Sequence, residues 1–369
     1  MKVLLVAGAR PNFMKVAPIR RSLSERGHAT VLVHTGQHFD AAMSDTFFAD
    51  LAMPPPDHHL GVGAGSHAEQ TARVMERFDA VLAVERPDWV VVVGDVNSTL
   101  AAALVTAKSR PTIGCRLAHV EAGLRSGDWR MPEEVNRVVT DQLADLLLTH
   151  SPEAATHLAA EGIPADRIVF VGNVMIDSLL GALERTGGEP AWSRYGLERT
   201  DYGLVTLHRP SNVDAIDRLR VLLDGLALVS EALPLLWPVH PRARAQLERL
   251  TLPPGLQLAE PAGYRQMAQL LDGSAVVITD SGGLQEESTA LGVPCVTLRE
   301  TTERPITVTA GSNRLVPWPP TAAGIAATVA AARTTPRRPA SIPGWDGHAA
   351  ERVVVALECA PLDAGRCGR

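Results

Sequence analysis

The 369-residue sequence predicts an α/β protein of two doubly wound domains facing a central cleft. Three observations carry that reading. Short, continuous apolar runs alternate with longer stretches of helical period, the pattern of parallel sheets covered on both faces. The alternation occurs twice, interrupted by a cluster of Gly187, Gly188 and Pro190. The length also suits two domains of roughly 150 residues each.

The first half opens with an apolar strand over residues 2–7, a turn over 8–12 and a helix over 14–26 closed by Gly27. A second strand follows at 30–34. Apolar residues at helical spacing (Ala68, Val74, Met75, Phe78, Val81 and Leu82) predict a helix over 66–84. Further strands are expected at 88–93, 112–115, 146–149 and 168–171. A helix over 177–190 leads into a second set of strands at 203–207, 235–238, 275–279 and 293–298. The Ala-rich stretch 322–333 reads as a helix, and the Pro-rich stretch 334–343 as a link. The domains are therefore expected at 1–175 and 176–343. Within 344–358, an amphipathic helix over 347–357 should pack back on the first domain, and 359–369 reads as a disordered tail.

Composition narrows the function. At 46% hydrophobic and 21% charged, the chain matches ordinary globular usage, which excludes a disordered or fibrous protein. The net charge is −6 and no Lys/Arg-rich run is present, so nucleic acid is not an expected partner. The apolar run 3–9 is too short for a signal core, and no stretch approaches the roughly 18 apolar residues that span a bilayer, so no membrane association is expected. Cys115, Cys295, Cys359 and Cys367 show no CxxC spacing, and two of them lie in strand-like runs. Free thiols in a reducing cytoplasm are the expectation. The histidines form no ligand set with cysteines or carboxylates, so no metal site is expected.

Ligands of parallel sheets bind at the carboxyl ends of the strands. The loop after the first strand carries Arg10 and Lys15 at a helix start, suited to an anion. No GxGxxG is present, which argues against a dinucleotide. Asp95 follows the strand 88–93, where it could equally cap the next helix. Glu121 lies beyond another strand, and Glu133 and Glu134 follow Pro132 at a helix start. Two carboxylates in one cleft can divide the roles of acid and base, whereas a first-turn acid can simply oppose the helix dipole. In the second half, His208 and Arg209 follow one strand, His240 another, and Ser281, Gly282 and Gly283 a third. That glycine-rich helix start lets backbone N–H groups approach a diphosphate, with Glu287 placed for ribose hydroxyls and Arg304 adding a cation.

The runs GARPNFMKVAP, TGQH, GDVNST, HVEAGLR, MPEEVNR, GNVMIDSL, TLHRPSNVD, PVHP, TDSGGLQEE and TTERP occur in this order, followed by GHAAERVV. Together they resemble the non-hydrolysing UDP-N-acetylglucosamine 2-epimerases from residue 1 to about 357. The resemblance implies two Rossmann-like domains of glycosyltransferase-B type, a cytoplasmic homodimer, and a reaction needing neither nicotinamide nor metal. It implies that UDP-N-acetylglucosamine loses the carbon-2 proton and UDP, and that the 2-acetamidoglucal is reprotonated on its other face and recaptures UDP. Asp95, Glu121, Glu133 and His208 are the implied catalytic residues. Arg10, Lys15, His208, His240, Met267, Ser281, Gly282, Gly283, Glu287 and Arg304 are the implied substrate and UDP ligands, with Met267 where an aromatic residue is usual. Gln37, Arg73, Glu134, Arg209 and His240 fit a second, allosteric sugar-nucleotide site, whereas Asp40 replaces a usual glutamine there. Ala9 and the GDVNST run also depart from the commoner bacterial pattern. A hydrolysing epimerase, an epimerase of a modified UDP-sugar, and a transferase or silent sugar-nucleotide binder remain alternatives.

Overall fold

The structure, a computed structural model, describes residues 1–37, 48–185, 187–239 and 241–360. Asp40, His240 and the segment 361–369 therefore lie outside the described residues. The chain divides into two compact units, Met1–Leu180 with Pro343–Arg369, and Gly181–Ile342.

The first unit holds seven parallel strands: β1 (Lys2–Ala7), β2 (Ala29–His34), β3 (His58–His59), β4 (Trp89–Val93), β5 (Arg116–Ala122), β6 (Leu146–Thr149) and β7 (Ile168–Phe170). Their order is β3-β2-β1-β4-β5-β6-β7. The second unit holds β8 (Gly203–Thr206), β9 (Leu235–Pro238), β10 (Leu256–Ala259), β11 (Val276–Thr279), β12 (Cys295–Thr297) and β13 (Asn313–Leu315), in the order β10-β9-β8-β11-β12-β13. Both are doubly wound sheets whose order reverses once, between β1 and β4 and between β8 and β11. Loops leaving the two strands at such a reversal diverge and open a crevice. The Gly8 and Gly94 loops meet that condition in one unit, the His208 and Ser281 loops in the other.

Apolar runs make these strands because both faces of each sheet are covered. In the second unit Val205, Trp237, Ile278 and Val296 join one buried cluster, and their neighbours Leu204, Leu236, Val277 and Cys295 join another. Cys115 and Cys295 are buried free thiols, and Cys359 is exposed.

Several expectations needed correction. Residues 112–115 are not a strand: the helix Asn97–Ile113 runs through Thr112 and ends at Gly114, which takes a left-handed conformation (φ 78°). The β-branched Thr112 and Ile113 gave a strand-like signal, but the helix continues past Pro111 and β5 begins only at Arg116. The first helix starts at Arg10 rather than residue 14, with Pro11 in its first turn, where a missing N–H costs nothing. The crossing helix spans Val174–Glu184, not 177–190. Strands β3, β10 and β13 were not anticipated. They are short edge strands with mixed polarity, so no apolar run announces them.

The last helix, Ala349–Cys359, belongs to the first unit and packs on the helix Arg10–Glu25. Arg26 and His28 both meet Glu358 there, at 2.6 and 2.7 Å. Its amino end is capped from elsewhere: the N–H groups of Ala349 and Ala350 donate to the Asp177 carboxylate at 3.2 and 2.7 Å. Nearby the chain touches itself backbone to backbone. Gly172 has φ 89°, and a Cβ there would lie 2.0 Å from the Gly344 carbonyl oxygen. Gly172→Ala is therefore expected to lower the thermal midpoint of the first unit, with about 1–2 kcal/mol from the left-handed backbone alone and more from the collision. A calorimetric midpoint equal to wild type would contradict this reading of the contact.

Candidate active site

At the reversal in the first unit, Asn12 joins the two divergent loops. Its side-chain oxygen accepts from the N–H groups of Gly8 and Ala9, both at 3.0 Å, and its amide donates to the Val93 carbonyl at 3.2 Å. One turn on, Lys15 is buried and its ammonium pairs with the Glu121 carboxylate. Lys15 therefore answers a carboxylate of its own unit. Arg10 opens the same helix; partial desolvation lowers its guanidinium pKa against the charge of Asp50.

Glu121 lies within β5, at a shift of register between Val120 and Ala122, and has φ 69°. That conformation is rare for a residue with a long side chain, and such strain concentrates at functional positions. Asp95 does not cap the next helix. The N-cap is Val96, and Asp95 meets Arg137 at 2.5 Å. Arg137, which the sequence reading overlooked, also reaches Glu134 at 2.9 Å.

The two acids at the start of the helix Pro132–Leu143 have separate fates. Glu134 turns inward and accepts from the N–H groups of Ser126 and Gly127, each at 2.9 Å, and from the Ser126 hydroxyl. Burial raises its pKa, but these donors and Arg137 prevail and hold it below the ordinary carboxylate range. Glu133 lines a cavity of ≈ 440 Å³ together with Gln37, His67, Gln70, Asn97 and Asn136. The walls are cross-linked: Asn97 donates to Gln70 at 2.9 Å, and Gln37 accepts from the Ser98 hydroxyl at 2.7 Å. Arg73 holds another stretch by donating to the Val62 and Ala64 carbonyls. Of the candidates, Gln37 and Glu133 line the cavity, Arg73 braces the neighbouring stretch, and Glu134 is buried among its own donors.

In the second unit the reversal is organised by Asp280, also overlooked from sequence. It is fully buried and accepts from the N–H groups of His208 at 3.1 Å and Arg209 at 3.0 Å, and from the Asn212 amide at 3.0 Å. It also pairs with His208 Nδ1 at 3.0 Å, which leaves the ring 42% exposed. Burial alone would raise the Asp280 pKa; His208 and the other donors bring it below the usual range. Burial, with Arg299 close by, lowers the pKa of Arg209.

Ser281 is the N-cap of the helix Gly282–Leu291, which places Gly282 and Gly283 in its first turn. The Arg304 guanidinium lies close over Gly282, 2.7 Å from where a Cβ would sit. Arg304 is held over it by Glu286 at 2.9 Å. Glu287, on the same helix, accepts from the Tyr264 hydroxyl at 3.0 Å. Burial pushes its pKa up to about 8, the neighbouring Glu286 adding to the effect. Met267, half-buried, packs against the cluster containing Tyr264's neighbours Leu270 and Leu271.

Two doubly wound units, one carrying carboxylates paired with cations and the other a glycine-rich helix start beside Arg304, have the make-up of a glycosyltransferase-B-type fold. The sequence profile of the family described as UDP-N-acetylglucosamine 2-epimerase matches residues 21–358. The chain belongs to that family. It is 43% identical over 321 residues to UDP-2,3-diacetamido-2,3-dideoxy-D-glucuronate 2-epimerase of Pseudomonas aeruginosa, covering 86% of this chain and 88% of the relative. It is 39% identical over 327 residues to UDP-N-acetylglucosamine 2-epimerase of Methanocaldococcus jannaschii, with the same coverage. The crystal structure of the M. jannaschii enzyme in complex with UDP-GlcNAc and UDP superposes with a TM-score of 0.86 at 36% identity, covering 97% of this chain and 99% of that one. The Neisseria meningitidis enzyme bound to UDP-GlcNAc gives 0.86 at 28% identity, covering 97% and 100%. Among the described residues no helix is long and apolar enough to cross a membrane.

Glu287 supplies a pH signature for the second unit. Its folded-state pKa of about 8 stands above its ordinary value of 4.5. Its contribution to stability is therefore complete below the ordinary value and is lost as pH rises through about 8. Denaturant midpoints are expected to fall across that range in wild type and to fall less in Glu287→Gln. Equal pH slopes in the two proteins would count against a protonated Glu287.

Proposed function

We propose that this protein interconverts UDP-N-acetylglucosamine and UDP-N-acetylmannosamine by eliminating and re-adding UDP. In this reading one carboxylate removes the carbon-2 proton while the carbon-1–oxygen bond breaks, its electron pair leaving with UDP. The 2-acetamidoglucal then receives a proton on its other face, and UDP returns to carbon 1. Such chemistry needs an acid and a base fixed around the sugar. The observation that carries the proposal is the grouping of Asp95, Glu121 and Glu133 on adjoining strand ends and one helix start, the first two each answered by a cation.

Arg10, Lys15, His208, Ser281, Gly282, Gly283, Glu287 and Arg304 are assigned to the nucleotide, and Arg209 to a second, allosteric site. Glycine N–H groups at a helix start, backed by arginines, are suited to a diphosphate that must leave carbon 1 yet stay bound. His240 and Met267 join them on the strength of the family resemblance. The wall of the cavity lined by Gln37 and Glu133 is the candidate for a second sugar-nucleotide site, with Arg73 and Glu134 supporting it. We further infer a cytoplasmic homodimer, in keeping with the free thiols and the resemblance.

The 43% identity to the P. aeruginosa enzyme favours a second reading, in which the sugar is a 2,3-diacetamido-glucuronate on the same UDP. Incubation with each UDP-sugar alone, followed by anion-exchange chromatography, separates the readings. Epimer still carrying UDP supports the proposal, free sugar plus UDP indicates hydrolysis, and inertness without an acceptor indicates a transferase.

In heavy water the product should carry deuterium at carbon 2; full retention of hydrogen would exclude elimination. Glu121→Gln and Glu133→Gln are expected to slow turnover by about two to four powers of ten while UDP affinity, measured by titration calorimetry, stays at the wild-type value.

A further inference from the structure

A buried pair that the proposed chemistry does not use connects the loops that carry the carboxylates. His119 lies in β5, two residues before Glu121. Asp141 lies near the end of the helix Pro132–Leu143, whose first turn holds Glu133. Both side chains are completely buried. His119 Nδ1 is 2.6 Å from an Asp141 oxygen, and Nε2 is 2.8 Å from the Gly94 carbonyl. Both ring nitrogens are thus held, one by a carboxylate and one by a backbone carbonyl. The other Asp141 oxygen accepts from the Gly123 N–H at 3.1 Å and pairs with Arg125 at 2.7 Å. Burial raises the Asp141 pKa, yet His119 and Arg125 outweigh it and keep the carboxyl low.

The attachment points are specific. Gly94 directly precedes Asp95, and Gly123 follows Glu121 by two residues. One imidazole–carboxylate pair thus fixes the backbone beside two carboxylates and is itself anchored in the helix that presents the third. Glu121 sits in a left-handed conformation that a side chain disfavours by about 1–2 kcal/mol, so the segment needs such an anchor to keep that aim. Stability does not account for the pair: buried ions lose much of their attraction to desolvation, and apolar side chains of similar volume often serve as well or better.

We propose that His119 and Asp141 act together as a positioning pair for proton transfer at the sugar, holding the Asp95 and Glu121 loops at their working separation. This rests on the epimerase reading above. Displacement of a reacting group by about 1 Å can cost a hundredfold in rate, so His119→Gln and Asp141→Asn should each lower kcat by about that factor. KM for the UDP-sugar and affinity for UDP should not change, and deuterium incorporation at carbon 2 should fall in step with kcat. The double variant should be no worse than the poorer single one, as for residues acting as a unit.

The full-length wild type and the three variants would be compared with both UDP-sugars. Wild-type turnover with single variants at wild-type kcat overturns the proposal alone, as do losses that multiply in the double variant or a parallel loss of UDP affinity. Should His119→Gln not fold, Asp141→Asn, which keeps size but loses the charge and exchanges one acceptor oxygen for a donor, decides by the same split between kcat and KM. A wild type inert toward both sugars overturns the epimerase reading and this proposal with it.

Discussion

Charge withdrawn from water at the ends of the strands has to be answered by charge, and that constraint shapes both units. A lone ionised group in such a place would change protonation state rather than persist. In the first unit Glu121 has Lys15, Asp95 and Glu134 share Arg137, and Asp141 has His119 and Arg125. In the second, Asp280 has His208, and Arg299 with Arg304 holds Glu303 at a pKa of about 2 despite its burial. Glu287 is the exception that obeys the same rule: its chief partner is the neutral Tyr264, and its carboxyl stays protonated. Lys15 with Glu121, and Arg137 with Asp95, each tie segments distant in the chain, so neutralising those charges also sets the geometry.

The two units use one topology differently. At the reversal between β1 and β4, side chains project and are steered by partners from other loops. At the reversal between β8 and β11, Asp280 binds the N–H groups of one loop while the other enters a helix through Gly282 and Gly283. Acid–base chemistry calls for aimed side chains, whereas a diphosphate calls for unobstructed backbone donors. One strand order can host either, because it dictates where loops diverge and leaves their contents open.

Central strands were legible because their apolar runs have no other use than burial, and the loops that follow them could therefore be located. Edge strands such as β3 and β13 bury less and carry no comparable signal. The carboxylates Asp95 and Glu133 could be singled out by their places after a strand and at a helix start, and Glu121 by its place near a strand's end, although it lies inside β5 rather than beyond a strand. Their partners could not. Lys15 and Glu121 are 106 residues apart, and Arg137 and Asp95 are 42 apart. No periodicity connects such positions; only the strand order does. His119, Arg137 and Asp280 stood inside the runs HVEAGLR, MPEEVNR and TDSGGLQEE, so the signal was present, but neighbours with more obvious chemistry drew the reading. Nothing in the sequence distinguishes Glu133, which reaches the cavity, from Glu134, which turns inward. That difference depends on the donors at Ser126 and Gly127.

The contact of Gly172 with Gly344 and the capping of Ala349 by Asp177 join segments more than 170 residues apart in sequence. The second unit is one uninterrupted stretch, whereas the first is split around it. On a ribosome, the sheet of the first unit emerges early but lacks its final helix until the whole of the second unit has been made. The helix Arg10–Glu25 must wait for its partner, and the amino end of Ala349–Cys359 meets Asp177 only after residues 181–342 have been made. Entropy makes that delay inexpensive, since the cost of closing a loop grows only with the logarithm of its length. Completion of the first unit thus reports that the second has been translated in full.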